Sequence, residues 1–277
     1  MDPNLVRAGG AGLGIVFGIA GGKLADLLPA RYGITHLVTG SKRARRNVLV
    51  TLACALSGLG VAHVVTGQSD LELPHAFLLI AFHTLATAGV LAGAAIDLEH
   101  LILPNEITFG VAVLALATSP VRSIGWKGAL IGAVAGLAVT YGPFLVYKKV
   151  LGRSGMGVGD AKLAVTAGAW HGPEGALFVL FAGSIQLALC ALVLRLAKVS
   201  VDVPESVKAE LAELRRRAEA GDAEARQELA EDPMAADVGD SYFKMRLPLG
   251  PFLTLACIEV LFARRFLIDA VFGWLSR

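Results

Sequence analysis

Eight apolar stretches divide almost the whole chain: 5–28, 48–67, 76–96, 105–119, 126–147, 161–172, 174–197 and 247–263. A helix needs about 20 such residues to cross the hydrocarbon core of a bilayer. The chain is 55% hydrophobic, well beyond an ordinary soluble domain. These runs therefore predict an all-α polytopic membrane protein of about eight transmembrane helices. Two of the eight, 105–119 and 161–172, are short. Segment 161–172 would rise only about 18 Å against a core of about 30 Å.

Charge orders the spans. "ARYGITHLVTGSKRARRN" carries Arg31, Lys42, Arg43, Arg45 and Arg46, and "YKKVLGRS" carries Lys148, Lys149 and Arg153. The loop from Gln68 to His75 has no Lys or Arg. The positive-inside rule places the first two on the cytoplasmic side and the amino terminus outside. The first run, "GIAGGKLADLLP", offers no clean cleavage site and reads as a span. The expected organisation is a first helix with a short basic cytoplasmic loop over 1–47 and a membrane core over 48–197. A charged cytoplasmic insert over 198–246 follows, then the last span with an amphipathic interfacial segment, "RRFLIDAVFGWLSR", over 247–277. The insert is rich in Ala, Glu, Arg and Leu. It predicts one or two solvated helices broken near Gly221, with Glu213–Arg217 and Asp222–Arg226 as i,i+4 pairs. It reads as a charged loop, with a partner-binding or regulatory element as the other reading. A net charge of only +2 gives no nucleic-acid footprint. Cys54, Cys190 and Cys257 stand singly, so no zinc or disulfide framework is expected.

Asp97 follows the third span and Asp160 precedes the sixth, in "GMGVGDAKLA". Two spans lie between them, and an even number of crossings returns the chain to the same side. Because segment 161–172 is too short, its inner end with Asp160 is expected below the inner surface, and the glycines before it as irregular backbone at membrane depth. Such backbone is tolerated only inside protein or beside a wet cavity. Two carboxylates facing one water can divide the work of aspartyl proteolysis: one ionised to activate water, one protonated to polarise a carbonyl. The other reading has Asp97 ending one helix and Asp160 capping the next.

Three motifs in order resemble the type IV prepilin peptidases, a branch of the GxGD intramembrane aspartyl proteases. "GMGVGDAKL" is similar to the GxGD signature. "IDLEHLILPNEIT" resembles the first aspartate motif, with proline seven residues after the aspartate, and "LPLGPFLTLA" resembles the entry to the last helix. The resemblance covers roughly residues 45–198 and 245–263. It implies a bacterial inner-membrane endopeptidase that removes the short basic leader of prepilin or pseudopilin precursors, after a glycine, at the cytoplasmic face. It places Asp97 and Asp160 as the catalytic dyad, Gly157 and Gly159 as the signature glycines, and Lys162 at the motif lysine. Fuller members carry paired cysteines after the first span and methylate the new amino terminus. Here 29–46 holds no cysteine, so no metal is expected, and S-adenosylmethionine is expected only if methyl transfer is retained.

Other polar residues carry weaker expectations. Glu259 is expected to pair within the bundle or face a cavity, with a proton relay as the sharper reading. His63 and His83 imply no metal. Glu99, His100 and Glu106 are expected as solvated interface residues, with tuning of Asp97 or contact with the basic leader as the alternative. Lys162 is expected to hold Asp160 or a substrate carboxyl, or to snorkel. The alternatives in function are a bifunctional peptidase and N-methyltransferase, a proton-coupled transporter and a non-catalytic membrane scaffold. The transporter reading predicts internal repeats, and the two halves show none. The partners expected are pilin-like precursors and the bilayer.

Overall fold

A computed structural model describes residues 2–34, 37–67, 72–151, 158–199, 201, 203–231 and 247–272. Among these residues the chain is all helix: α1 (Pro3–Arg31), α2 (Gly40–Thr66), α3 (Leu73–His100), α4 (Asn105–Thr118), α5 (Gly125–Leu151), α6 (Val158–Leu196), α7 (Glu205–Glu219), α8 (Ala223–Glu231) and α9 (Gly250–Phe272). Four of them, α1, α2, α3 and α6, are long and apolar enough to cross a membrane, and α4 and the first part of α9 are shorter apolar helices. The protein is an all-α, multi-pass membrane protein.

Every expected apolar run is helical, but the ends move. Helix α2 begins at Gly40, so Lys42, Arg43, Arg45 and Arg46 ride its first turns instead of a loop. Helix α3 runs on to His100 and takes in Asp97. Helix α6 begins at Val158, so Gly159 and Asp160 form its first turn and are not irregular backbone. The backbone of α9 continues unbroken to Phe272, where a separate interfacial segment was expected.

The two short runs find their explanation in the break of α6. Gly172 sits at φ 85 and ψ −179, a backbone region open in practice to glycine alone, and Pro173 then denies the helix an N–H. The segment ending at His171 and the 14-residue α4 each rise about 21 Å. Both start at the same end of the bundle. Both finish on Arg122, whose guanidinium donates to Trp170 O at 2.6 Å, to Ala169 O at 3.3 Å and to Ala115 O. Arg122 also stacks 4.4 Å from the Trp170 ring centre, and it is buried.

Small residues set the helix pairs. A Cβ on Gly132 would strike Gly168 O, and one on Gly10 would strike Gly58 O. Backbones thus touch between α5 and α6 and between α1 and α2, the close packing that replaces the hydrophobic effect inside lipid. The site depends on a further arrangement. Helix α3 packs on α4 and α9, and α6 packs on the same two. The four form a ring, and their inner faces make one apolar core that includes Ile96, Ile107, Leu163 and Leu253.

The insert folds as a helical hairpin, α7 and α8, turned at Gly221. Its ion pairs differ from the expected spacing. Glu213 takes Arg216, three residues on, and Asp222 takes Arg217 from before the turn. Asp222 also caps α8, accepting the N–H of Glu224 at 3.0 Å and of Ala225 at 3.2 Å. The Ala225 N–H first, and then Arg217, hold the Asp222 carboxyl below its ordinary range. A depressed carboxyl stabilises the fold above its ordinary value and stops doing so as the pH falls through the folded value. Amide exchange at Ala225 is thus expected to be slow at neutral pH and to gain protection loss only under acid, below about pH 4. In Asp222→Ala the amide should exchange fast already at neutral pH; equal rates in both proteins would refute the cap.

Candidate active site

Asp97 lies one turn from the end of α3. The helix stops because Leu101 adopts the left-handed conformation, φ 56 and ψ 32, with its N–H returned to Asp97 O at 2.9 Å. That conformation costs a non-glycine residue roughly 1–2 kcal/mol. Pro104 then starts α4 and disfavours helical backbone at Leu103. Asp160 occupies the first turn of α6, where a carboxylate meets the positive end of the helix dipole.

The ring puts these two on facing helices at one end. Asp97 is buried, 6% exposed, and Asp160 is half-buried. Their carboxyl groups are close enough to interact electrostatically, and the backbone N–H of Gly250, at the start of α9, donates to Asp97. A methyl group on Gly250 would run into Asp97 Oδ2. Gly159 is bare in the same way: a Cβ there would come 3.2 Å from Leu103 Cβ. Each aspartate therefore has a glycine beside it. Gly157 lies outside the described residues.

Lys162 reaches Asn105 Oδ1 at 2.6 Å. Asn105 N–H in turn donates to the Tyr32 hydroxyl at 2.8 Å, and that hydroxyl donates to Glu106 at 2.8 Å. Glu106 is exposed as expected, whereas Glu99 and His100 are not solvated. Glu99 binds Arg46 at 2.5 Å, and Arg46 also binds Asp26. All three are largely buried, with side chains at 19%, 10% and 9% exposure. His100 is buried and meets Ser206 of α7 at 3.1 Å. The chain had to be folded to show this, because Glu99 and Asp26 pair only across helices. Glu259 takes the Gln186 amide at 2.8 Å, pairing within the bundle. His63 takes Arg7 at 3.0 Å, and His83 meets the Trp170 ring edge-on at 5.3 Å. Sequence reasoning missed Gly250 and Leu103 beside the dyad, and Arg46 and Asp26 as the ion-pair network that holds Glu99. "LPLGPFLTLA" marked the right segment for Gly250 but gave its glycine no role.

Two carboxyl groups that share one site cannot both ionise cheaply. A pair that shares one proton can offer a base and an acid at the same pH.

Residues 84–192, a stretch that contains both aspartates, match the profile of the type IV leader peptidase family. Over that stretch the chain is similar to the family. Named relatives agree. A prepilin leader peptidase/N-methyltransferase of Stutzerimonas stutzeri is 33% identical over 168 residues, 58% of this chain and 53% of that protein. Proteins of the same description from Pseudomonas aeruginosa and Neisseria gonorrhoeae are each 33% identical, over 43% and 40% of this chain and 42% and 40% of theirs. The chain thus spans about half, or less, of the leader peptidases that it matches. No solved structure matches it.

Proposed function

We propose that the protein is an aspartic endopeptidase that removes the leader of prepilin or pseudopilin precursors at the cytoplasmic face of a bacterial inner membrane. The observation that carries this reading is the meeting of Asp97 and Asp160 at one end of the ring, with bare glycine backbone beside each. The ionised member takes a proton from water, which attacks the scissile carbonyl while the protonated member donates to its oxygen. Acid and base both come from the chain, so the peptide-bond step requires no cofactor. Gly159 and Lys162 flank Asp160 on the first turns of α6.

Charge supports the sidedness. The dyad end also receives Arg31 at the close of α1 and Arg43 and Arg46 at the start of α2. Lys148 and Lys149 stand at the close of α5, whose start faces the Gly172 break. Such a bias marks the cytoplasmic side. The printed descriptions of the relatives favour a second reading, in which the same protein also methylates the new amino terminus with S-adenosylmethionine. The absence of cysteine between 29 and 46 favours the peptidase alone.

Co-expression with a candidate prepilin, scored by the intact mass of the pilin, tests both readings. The expected product has lost its leader and carries no added methyl group. An uncut precursor beside well-accumulated enzyme would overturn the peptidase, and a cut product heavier by one methyl group would establish the second activity.

A further inference from the structure

Helices α1 and α2 lie outside the ring, yet one side chain ties them to its dyad end. Arg46, in the second turn of α2, donates through Nη1 to Glu99 Oε2 at 2.5 Å, through Nη2 to Asp26 Oδ1 of α1, and through Nε to Asn47 Oδ1 at 3.0 Å. Asp26 also accepts from Arg43 at 2.7 Å and from the Asn47 amide at 3.2 Å. Arg46 is thus fixed from the α1 side and spends its remaining arm on α3. Glu99 belongs to the last turn of α3, two residues beyond Asp97. Residues two apart do not share a helix face, so Asp97 meets Gly250 of α9 while Glu99 meets Arg46 of α2. That last turn lacks the full hydrogen-bond ladder of a helix interior, and it ends at once on the left-handed Leu101.

We propose that the Arg46–Glu99 ion pair positions Asp97 for the reaction, both residues acting through α3 rather than on the substrate. The proposal rests on the leader-peptidase reading. Asp97 already lies against Gly250, where a methyl group would strike its Oδ2. A last turn without its tie therefore has room to move only outward, away from α6 and Asp160. A misplacement of about 1 Å at reacting groups is enough to cost on the order of a hundredfold in rate. The tie works by reach and not by charge. Asp26 and Glu99 are matched by Arg43 and Arg46, so the cluster presents a balanced set of charges to the dyad. The other titratable group against Glu99 is His100, with Nε2 at 4.0 Å.

The test uses the full-length enzyme in membranes with one prepilin and three substitutions that separate reach from charge. Glu99→Gln keeps the reach, because an amide oxygen accepts from Arg46 in the same place, and gives up the charge. Glu99→Asp keeps the charge but is one carbon short, and Arg46, held by Asp26 and Asn47, cannot follow it. Glu99→Ala loses both. None of the three leaves Arg46 without a carboxylate, the situation that makes a broken buried pair costly, since Asp26 remains. In Glu99→Ala, kcat for leader removal should fall on the order of a hundredfold with KM little changed. Glu99→Asp should lose less, and Glu99→Gln least. The pH–rate bell should narrow in the same order, because the two apparent values of a carboxyl pair approach each other as the groups move apart. Wild-type kcat and bell width in Glu99→Asp and Glu99→Ala overturn the inference, whatever their melting temperatures. So does an unimpaired Glu99→Asp beside an impaired Glu99→Gln, which makes charge the active feature. The Asp and Gln variants decide the matter even where Glu99→Ala fails to accumulate. Failure of wild type to cut the leader removes the peptidase reading, and this inference with it.

Discussion

Asp97→Asn and Asp160→Asn should each lower the rate of leader removal by at least about a thousandfold, the scale on which general acid–base groups act, while both proteins accumulate normally. Asparagine keeps the shape of the side chain and its place in the helix but can neither accept the proton of water nor share one with its partner. The remaining carboxyl group is then left to act as acid and base alone. The pH dependence should change with it. Wild type is expected to show a bell, because below the lower apparent value both carboxyls are protonated and no base remains. Above the higher value both are ionised and no acid remains. Those two values belong to the pair rather than to either residue. Time courses of cleavage in membranes across pH provide the measurement. Near-normal cleavage by either variant would remove the dyad.

Arg122→Met should be the most damaging substitution for stability away from the dyad. The guanidinium closes the ends of α4 and of the first segment of α6 by donating to Ala115, Ala169 and Trp170 carbonyls. Hydrogen bonds from a charged donor contribute about 1.5–3 kcal/mol each, and carbonyls left open near lipid have no water to turn to. A loss of at least about 3 kcal/mol follows on that scale. In detergent it should register as a large fall in the melting temperature. Arg122→Lys should recover only part of it, because an ammonium cannot span several carbonyls as the planar guanidinium does. Equal melting of Met and Lys variants with wild type would show that Arg122 does not hold these ends.

The helical plan was legible because lipid imposes it: apolar runs of spanning length admit few structures. The same-side placement of Asp97 and Asp160 was legible too, since it follows from counting crossings. The helix ends were not. The glycines before the run at 161–172 suggested irregular backbone, yet α6 starts at Val158 and takes in Gly159, where Asp160 suits a helix amino terminus. Glu99 and His100 looked like solvated residues because nothing local distinguishes them from such residues. Their partners, Arg46 and Ser206, come from helices distant in sequence. In the insert, helical spacing suggested Asp222–Arg226. The positive φ of Gly221 instead reverses the chain there and delivers Arg217 to Asp222. Leu103 was hidden for a different reason: a leucine in an apolar sequence acquires meaning only through the glycines it faces.

The ring also has an order of assembly in time. Asp97 emerges from the ribosome early, and Asp160 follows two spans later. Yet the N–H that Asp97 accepts belongs to Gly250, on a helix made only after the whole insert. Until α9 enters the membrane and closes against α3 and α6, the two carboxyl groups share an open-sided cleft without that donor. On the leader-peptidase reading, the surroundings of Asp97 are thus completed late, when α9 closes on α3 and α6.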